Sequence, residues 1–306
     1  VMIGYIRKHY GAKRIAVIDT DCHHGDGTQD IFWNDPNTLC LSIHQDGRTL
    51  YPGTGFHEEF GGPNAMGATI NIPLPPRTSE DGFLYILEHA IQPIINDFKP
   101  DLIINSAGQD NHYTDPITNM RFTAQGYAML NERLNPDIAV LEGGYSIEGA
   151  LPYVNVGIIL AMAGLDFSHV KEPDYNPASL RESDDLKRTI EREAEQIYKL
   201  WKNRDALREK VVGQAKYVKR RKRIYYDTDG ISEQQEETVR VCSDCGGLVM
   251  IDSVADTGNR IYAVILSAGT CPECRHDGEE FFALTNPGRY QYVYFQDRDQ
   301  DIFLVK

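Results

Sequence analysis

No apolar run in this 306-residue chain approaches the roughly 18 residues that a membrane-crossing helix needs, so the sequence does not read as a helical membrane protein. No signal-peptide pattern is present either, and no membrane partner is expected. Basic residues are in deficit, with 31 Lys and Arg against 45 Asp and Glu and a formal net charge of −14. A chain this acidic does not carry the electrostatic footprint of a whole-protein nucleic-acid binder, and no nucleic-acid partner is expected. Cysteine is sparse, six residues in all. Cys22 and Cys40 lie in apolar, strand-like contexts and read as core. The other four are clustered and read as metal ligands rather than disulfides, which fits a reducing cytoplasm. What remains is ordinary for a globular protein, 25% charged and 41% hydrophobic, in a length that can hold two domains.

Against this background one stretch stands out. Positions 19–26 hold Asp19, Asp21, Asp26, His23 and His24, directly after the β-branched run Ile15-Ala16-Val17-Ile18. That run reads as a buried parallel strand, and open α/β sheets place ligands at the carboxyl ends of such strands. Strand alternation sends Asp19, Asp21 and His23 to one side and Thr20 and Cys22 to the other. Carboxylates and an imidazole converging there are costly to desolvate without a cation, so a divalent metal is the simplest reading. An acidic surface loop is the alternative.

Strand-like runs recur at 14–18, 38–43, 68–72, 101–105 and 137–141, alternating with helical patterns at 25–33, 79–98, 123–134 and 147–163. This alternation predicts an α/β fold, a mostly parallel sheet covered by helices on both faces. The Gly- and Pro-rich stretch 51–67 reads as a functional loop.

Composition shifts after Gly164. Residues 166–178 read as a polar linker, and 179–219 as one long charged helix with a buried stripe of Leu180, Leu186, Ile190, Ile197, Leu200 and Leu207. Its partner is the core or a second subunit, which makes a homo-oligomer through the helix a candidate assembly. The basic run Lys219–Arg223 reads as a solvated helix end, with nucleic-acid contact as the alternative. Cys242-x-x-Cys245 and Cys271-x-x-Cys274, 25 residues apart with β-like segments between, read as two knuckles around one structural zinc, with disulfides or free thiols as the alternative. The expected division is 1–165, 166–236 and 237–306: an incomplete catalytic domain, a linker with a long helix, and a small β-rich zinc ribbon.

The run Asp19-x-Asp21-x-His23-His24-Gly25-Asp26-Gly27-Thr28-Gln29 resembles the metal motif of the zinc-dependent histone deacetylase and acetylpolyamine amidohydrolase family. Three more motifs follow in that family's order: Leu41–His44 with Tyr51–Gly55, Ser106–His112 with Asp115-Pro116, and Leu141–Tyr145. The match covers about residues 1 to 165 and leans toward bacterial, class II-like members.

The resemblance implies an arginase/deacetylase-like fold, here incomplete, and a deacetylase acting on acetyl-lysine or a small acyl-amine such as an acetylpolyamine. Asp21, His23 and Asp110 would hold the catalytic zinc, and Tyr145 would stabilise the oxyanion. Asp19, Ser42 and Ile43, with Asp21 and His23, match a monovalent-cation (K+) site. Asp19 and Asp26 match partners of a histidine pair. Tyr51, Gly143 and Gly144 match the substrate channel, and Gln109 stands where an apolar aromatic is common. The family's Gly-His-His segment, which moves protons, has no counterpart in the short stretch before Asp19, where His9 stands alone in a helical pattern. The chain opens on Val1 in mid-helix by pattern, so the reading is an amino-terminally truncated deacetylase whose activity alone is expected to be slow or nil. His112 is the first candidate for a substitute base. The alternative is a catalytically incompetent chain acting as a binding or structural module.

Overall fold

The computed structural model describes residues 1–173 and 175–306, which fall into two compact units. The first comprises Val1–Trp33, Asn37–Phe60 and Gly67–Arg204, and the second Asn34–Pro36, Gly61–Met66 and Asp205–Lys306. No described helix is long and apolar enough to cross a membrane.

In the first unit the order is α1 (Met2–Tyr10), β1 (Ile15–Asp19), α2 (Asp26–Phe32), β2 (Thr38–Gln45) and β3 (Thr69–Leu74). There follow α3 (Glu80–Ile86), a π-helical turn (Leu87–Ile91), α4 (Gln92–Phe98), β4 (Leu102–Ala107), α5 (Ala124–Leu134), β5 (Ile138–Leu141), α6 (Leu151–Met162) and α7 (Asp184–Lys202). The five strands form the expected parallel sheet, in the order β3-β2-β1-β4-β5. Ile3 and Ile6 of α1 cover Ile15 and Val17 on one face, while Ala16 and Ile18 on the other face are equally buried. Both faces are therefore closed at β1, as the centre of a parallel sheet requires, whereas the edge strand β5 leaves Val140 and Leu141 exposed. Ser79, Thr123 and Ser183 cap α3, α5 and α7 with their side-chain oxygens.

The strand order reverses at β1. Its successor β2 lies on one side and β4 on the other, which leaves a crevice at the carboxyl ends of β1 and β4. The acidic motif follows β1 and the Asp110 loop follows β4, so the topology alone brings the two together.

The expected single helix over 179–219 is not formed. α7 stops at Lys202, α8 (Arg204–Val212) follows Asn203, and the backbone at Gly213 turns to φ +51°. Ile190, Ala194, Ile197 and Trp201 make the buried stripe of α7, and Leu186, Leu200 and Leu207 are half-buried. α7 packs on α3, α4 and β3 within its own unit. Trp201 Nε1 donates to Asp97 Oδ2 at 2.8 Å.

The basic run Lys219–Arg223 is likewise no helix end. It lies in β6 (Tyr217–Tyr226), a strand whose cations pair with acids of β7 (Ile231–Arg240): Lys219 and Arg221 with Glu236, and Arg220 with Glu237. Beyond them come β8 (Leu248–Ala255), β9 (Arg260–Leu266), α9 (Pro272–Leu284), β10 (Tyr292–Asp297) and β11 (Ile302–Val305). The resulting sheet is β11-β10-β9-β8-β7-β6, antiparallel except for β9 and β10, which α9 joins as a crossover. Leu248, Met250, Val264, Leu266 and Phe295 form its core under Phe281 and Phe282 of α9.

Candidate active site

Asp21 and His23 leave β1 in a tight loop that hydrogen-bonds itself. Asp21 N donates to Asp19 Oδ1 at 3.0 Å, and His23 N to Asp21 Oδ1 at 2.8 Å. From the loop after the neighbouring strand β4, Asp110 accepts Cys22 N–H on Oδ1 at 2.8 Å and turns Oδ2 to His23 Nδ1 at 2.8 Å. His23 Nδ1 is also 3.1 Å from Asp21 Oδ1. Ligand atoms of Asp21, His23 and Asp110 all lie within 4.8 Å of one another.

Two glycines make this closeness possible. A Cβ on Gly108 would collide with Asp21, and one on Gly143 would stand 2.6 Å from Asp110 Oδ2 and 2.7 Å from Asp21 Oδ2. Gly143 N–H instead donates to Asp21 Oδ2 at 2.8 Å.

The electrostatics ask for a cation. Hydrogen bonds that His23 donates to Asp110 and then to Asp21 raise the pKa of its imidazole to about 10. Burial lifts the Asp110 carboxyl, despite its hydrogen bond from His23. Burial pushes Asp21 up too, but donation from His23 and Gly143 outweighs it and the carboxyl falls below its usual value. Asp19, deep behind the pair, is held well above the carboxylate range by burial. The donor set of two carboxylates and one imidazole suits a divalent metal such as zinc. The Asp110 side chain is closed off, whereas His23 is 20% exposed, so the cluster has one open side.

Tyr145 stands at that side, 48% exposed, with its ring edge-on to His23 at 6.5 Å between centroids. Tyr51 is 71% exposed on its loop. Gly144 packs against Leu151 and Gln109, and Gln109 is buried, donating to Asn155 Oδ1 at 2.6 Å. Ser42 pairs with Asp19 across β1 and β2, Ile43 is fully buried beside it, and Asp26 is exposed in the first turn of α2. His112, the candidate substitute base, turns its ring nitrogens to Thr114 and Glu172. It is buried, with Nδ1 2.8 Å from Thr114 Oγ1 and Nε2 3.5 Å from Glu172 Oε1.

Two features escape sequence reasoning. Asp115 Oδ2 accepts the backbone N–H of Tyr145 at 2.9 Å and so fixes the tyrosine's loop. The Asp115-Pro116 pair was the only signal, and it named no partner. Behind the metal loop, His24 Nδ1 meets Thr54 Oγ1 at 2.8 Å, and His44 lies between Ser42 Oγ at 2.9 Å and the Gly55 carbonyl at 3.0 Å. Burial, followed by the neighbouring His24, depresses His44 to about 3, so it stays neutral while donating from Nε2. The second histidine of the motif thus pins the loop carrying Tyr51 rather than joining the ligand cluster.

In the second unit the ligand sulfurs of Cys242, Cys245, Cys271 and Cys274 also lie within 4.8 Å of one another, and all four are free thiols.

Residues 1–155 match the family model described as the histone deacetylase domain. Over 217 residues the chain is 48% identical to a probable deacetylase of Archaeoglobus fulgidus, which covers 66% of this chain and 60% of that protein. Over 184 residues it is 39% identical to the acetoin utilization protein AcuC of Bacillus subtilis, 57% of this chain and 47% of that one. It therefore spans only part of these curated relatives, less than two thirds of either. The crystal structure of the HDA15 HD domain is similar with a TM-score of 0.56 at 25% identity, covering 69% of this chain and 57% of that one.

Proposed function

The chain belongs to the histone deacetylase family, and we propose that it is a zinc-dependent amide hydrolase that removes acetyl groups from acetyl-lysine or a small acyl-amine. The observation that carries this reading is the Asp21–His23–Asp110 cluster with Tyr145 at its one open side. These three residues would hold the ion. When bound, zinc polarises the amide carbonyl and acidifies the attacking water.

The chain's own residues do the rest. Tyr145 donates a hydrogen bond from its O–H to the oxygen that gains charge as the carbonyl is attacked, a contact stronger in the transition state than before it. Asp115 holds the Tyr145 backbone, and Gly143 N–H holds Asp21, so both partners are set before substrate arrives. Tyr51, exposed on the loop that His24 and His44 pin, is the candidate wall for an alkyl-amine chain. Buried Asp19, with Ser42, Ile43, Asp21 and His23, is the candidate K+ position.

A second reading rests on a specific observation. Among the described residues, His23 is the one imidazole hydrogen-bonded to the cluster carboxylates, and His112 is walled in by Thr114 and Glu172. With no base to move protons, the site would bind acyl-lysine without hydrolysing it. General acid–base catalysis contributes about 10²–10⁴-fold, so the two readings separate cleanly by rate. The test is release of acetate from an acetyl-lysine peptide and from an acetylated diamine by zinc-loaded protein. Turnover lost in Asp110→Ala and Tyr145→Phe supports the enzyme. Zinc-dependent peptide binding without acetate release supports the binding module.

A further inference from the structure

We propose that Cys242, Cys245, Cys271 and Cys274 bind one zinc ion as a closed tetrathiolate, with Arg240 as its charge partner and Asn64 as its brace. The four cysteines and Arg240 lie outside residues 1–155, and none of them belongs to the Asp21 cluster.

The topology brings the cysteines together. Cys242 and Cys245 fill the turn from β7 to β8, and Cys271 and Cys274 form the N-cap and first turn of α9, just after β9. Strands β8 and β9 pair with Leu248 opposite Leu266, so both turns open at one end of the sheet. Cys242 Sγ and Cys271 Sγ stand 3.9 Å apart. Sulfurs at about 2.3 Å from a tetrahedral zinc lie about 3.8 Å from each other, whereas a disulfide needs about 2.05 Å.

The surroundings are those of thiolates. Asp244 N–H points at Cys242 Sγ at 3.4 Å and Gly247 N–H at Cys245 Sγ at 3.3 Å. Gly247 makes its turn at φ +74°, where a Cβ would also strike the Arg240 carbonyl. Arg240, its side chain 5% exposed, donates from Nη1 to Cys274 Sγ at 2.8 Å. Asp277 and Glu273 orient its other nitrogens at 2.7 and 2.5 Å. Four thiolates around a divalent ion leave two negative charges, and a buried guanidinium on one sulfur offsets one of them. Four thiolates also leave no open coordination position, so the site is structural.

Asn64 ties a distant segment to this corner. Its Oδ1 accepts Cys242 N–H at 2.9 Å, and its Nδ2 donates to the carbonyls of Arg240 at 2.7 Å and Gly246 at 2.9 Å. Residues Gly61–Met66 belong to the second unit through such contacts. Zinc that rigidifies the 242–247 turn therefore also fixes residues 61–66.

The experiment is metal analysis of the full chain purified from zinc-supplemented growth, with hydrogen exchange. Cys242→Ser/Cys245→Ser should lose one zinc equivalent and keep the one that Asp110→Ala removes, so failure of this site and failure of the Asp21 site are told apart. Amide exchange should rise together in residues 61–66 and 240–247. Arg240→Gln should keep the stoichiometry but hold zinc about 10–100-fold more weakly against a chelator. Should the cysteine variants not fold, mercurial titration of the wild type should release one zinc per four thiols. Disulfide-bonded cysteines, iron in place of zinc, or metal content indifferent to all four thiols would overturn the proposal.

Discussion

Replacing Gly143 by Ala tests whether the metal cluster is as tightly cradled as the geometry says. The new methyl would stand 2.6 Å from Asp110 Oδ2, 2.7 Å from Asp21 Oδ2 and 3.2 Å from Asp110 Cγ. Real Cβ contacts essentially never fall under 3.0 Å, so both carboxylate oxygens must retreat by a few tenths of an ångström or more. Ligand distances tolerate about 0.2 Å before a metal site loses its geometry. The neighbours cannot absorb the shift, because Asp110 is fully buried and Oδ1 is committed to Cys22 N–H. Zinc affinity at this site should therefore fall roughly 10- to 100-fold, as for other disturbances of a ligand's support. Overpacking should cost about 1–3 kcal/mol of stability. Competition with a chromophoric chelator measures the first and denaturant unfolding the second. Gly4→Ala is the control: nothing lies within 4 Å of a Cβ at that exposed helix position, and it should stabilise by about 0.5–1 kcal/mol. A Gly143→Ala protein that holds zinc within threefold of wild type would refute the cradle.

Other expectations follow from single contacts. His57 Nε2 lies 2.5 Å from Glu193 Oε1, and that carboxylate raises the imidazole above its ordinary value. The pair's stabilisation should be full below about pH 6.5 and fade as pH rises through the elevated folded value; Glu193→Gln should flatten the pH profile of the unfolding midpoint, and parallel profiles would exclude the linkage. Ile197 is fully buried on α7, so Ile197→Ala should cost about 2–5 kcal/mol at any protein concentration, and a concentration-dependent loss would assign that face to another subunit. Asp115→Asn weakens the acceptor for Tyr145 N–H; in turnover of an acetyl-lysine peptide it should lower kcat about 10- to 100-fold with KM and zinc content little changed, and an unchanged kcat would remove Asp115 from the positioning of the tyrosine.

The parallel sheet was legible because its strands are short β-branched runs between helical patterns; Ile15–Ile18 is read almost to the residue of β1. The metal cluster was half legible. Asp21 and His23 announce themselves by density, but Asp110 lies 87 residues from His23, and only the ordered motifs connect them. Asp115 was seen as a motif letter, since a backbone N–H 30 residues away leaves no mark in composition. The segment after α7 was misread for a definite reason. Lys219 to Arg223 are charged on both faces of β6, which erases the period-two pattern that reveals a strand, and the acidic partners of Lys219 and Arg220 follow 17 residues later. Arg240 could not be assigned to Cys274 from sequence either, because an isolated arginine says nothing about which anion it meets.

The central position of β1 has a kinetic consequence. Its register joins Ile15 to Thr38 on one side and to Leu102 on the other, so the second pairing must close a far longer loop, one that holds β2, β3 and the helices α2, α3 and α4. Loop closure of that length is slow relative to hairpins and local helices. Asp21 and Asp110 sit on the loops that follow those two strands, so the cluster assembles only once β4 has docked and the polypeptide has been synthesised past residue 110. The four cysteines face no such delay. They flank the β8–β9 hairpin within one short stretch of chain and can meet as soon as it zips up. During refolding the thiols would thus capture metal early and the carboxylates late, and the order in which zinc disappears from solution becomes a clock for the growth of the parallel sheet.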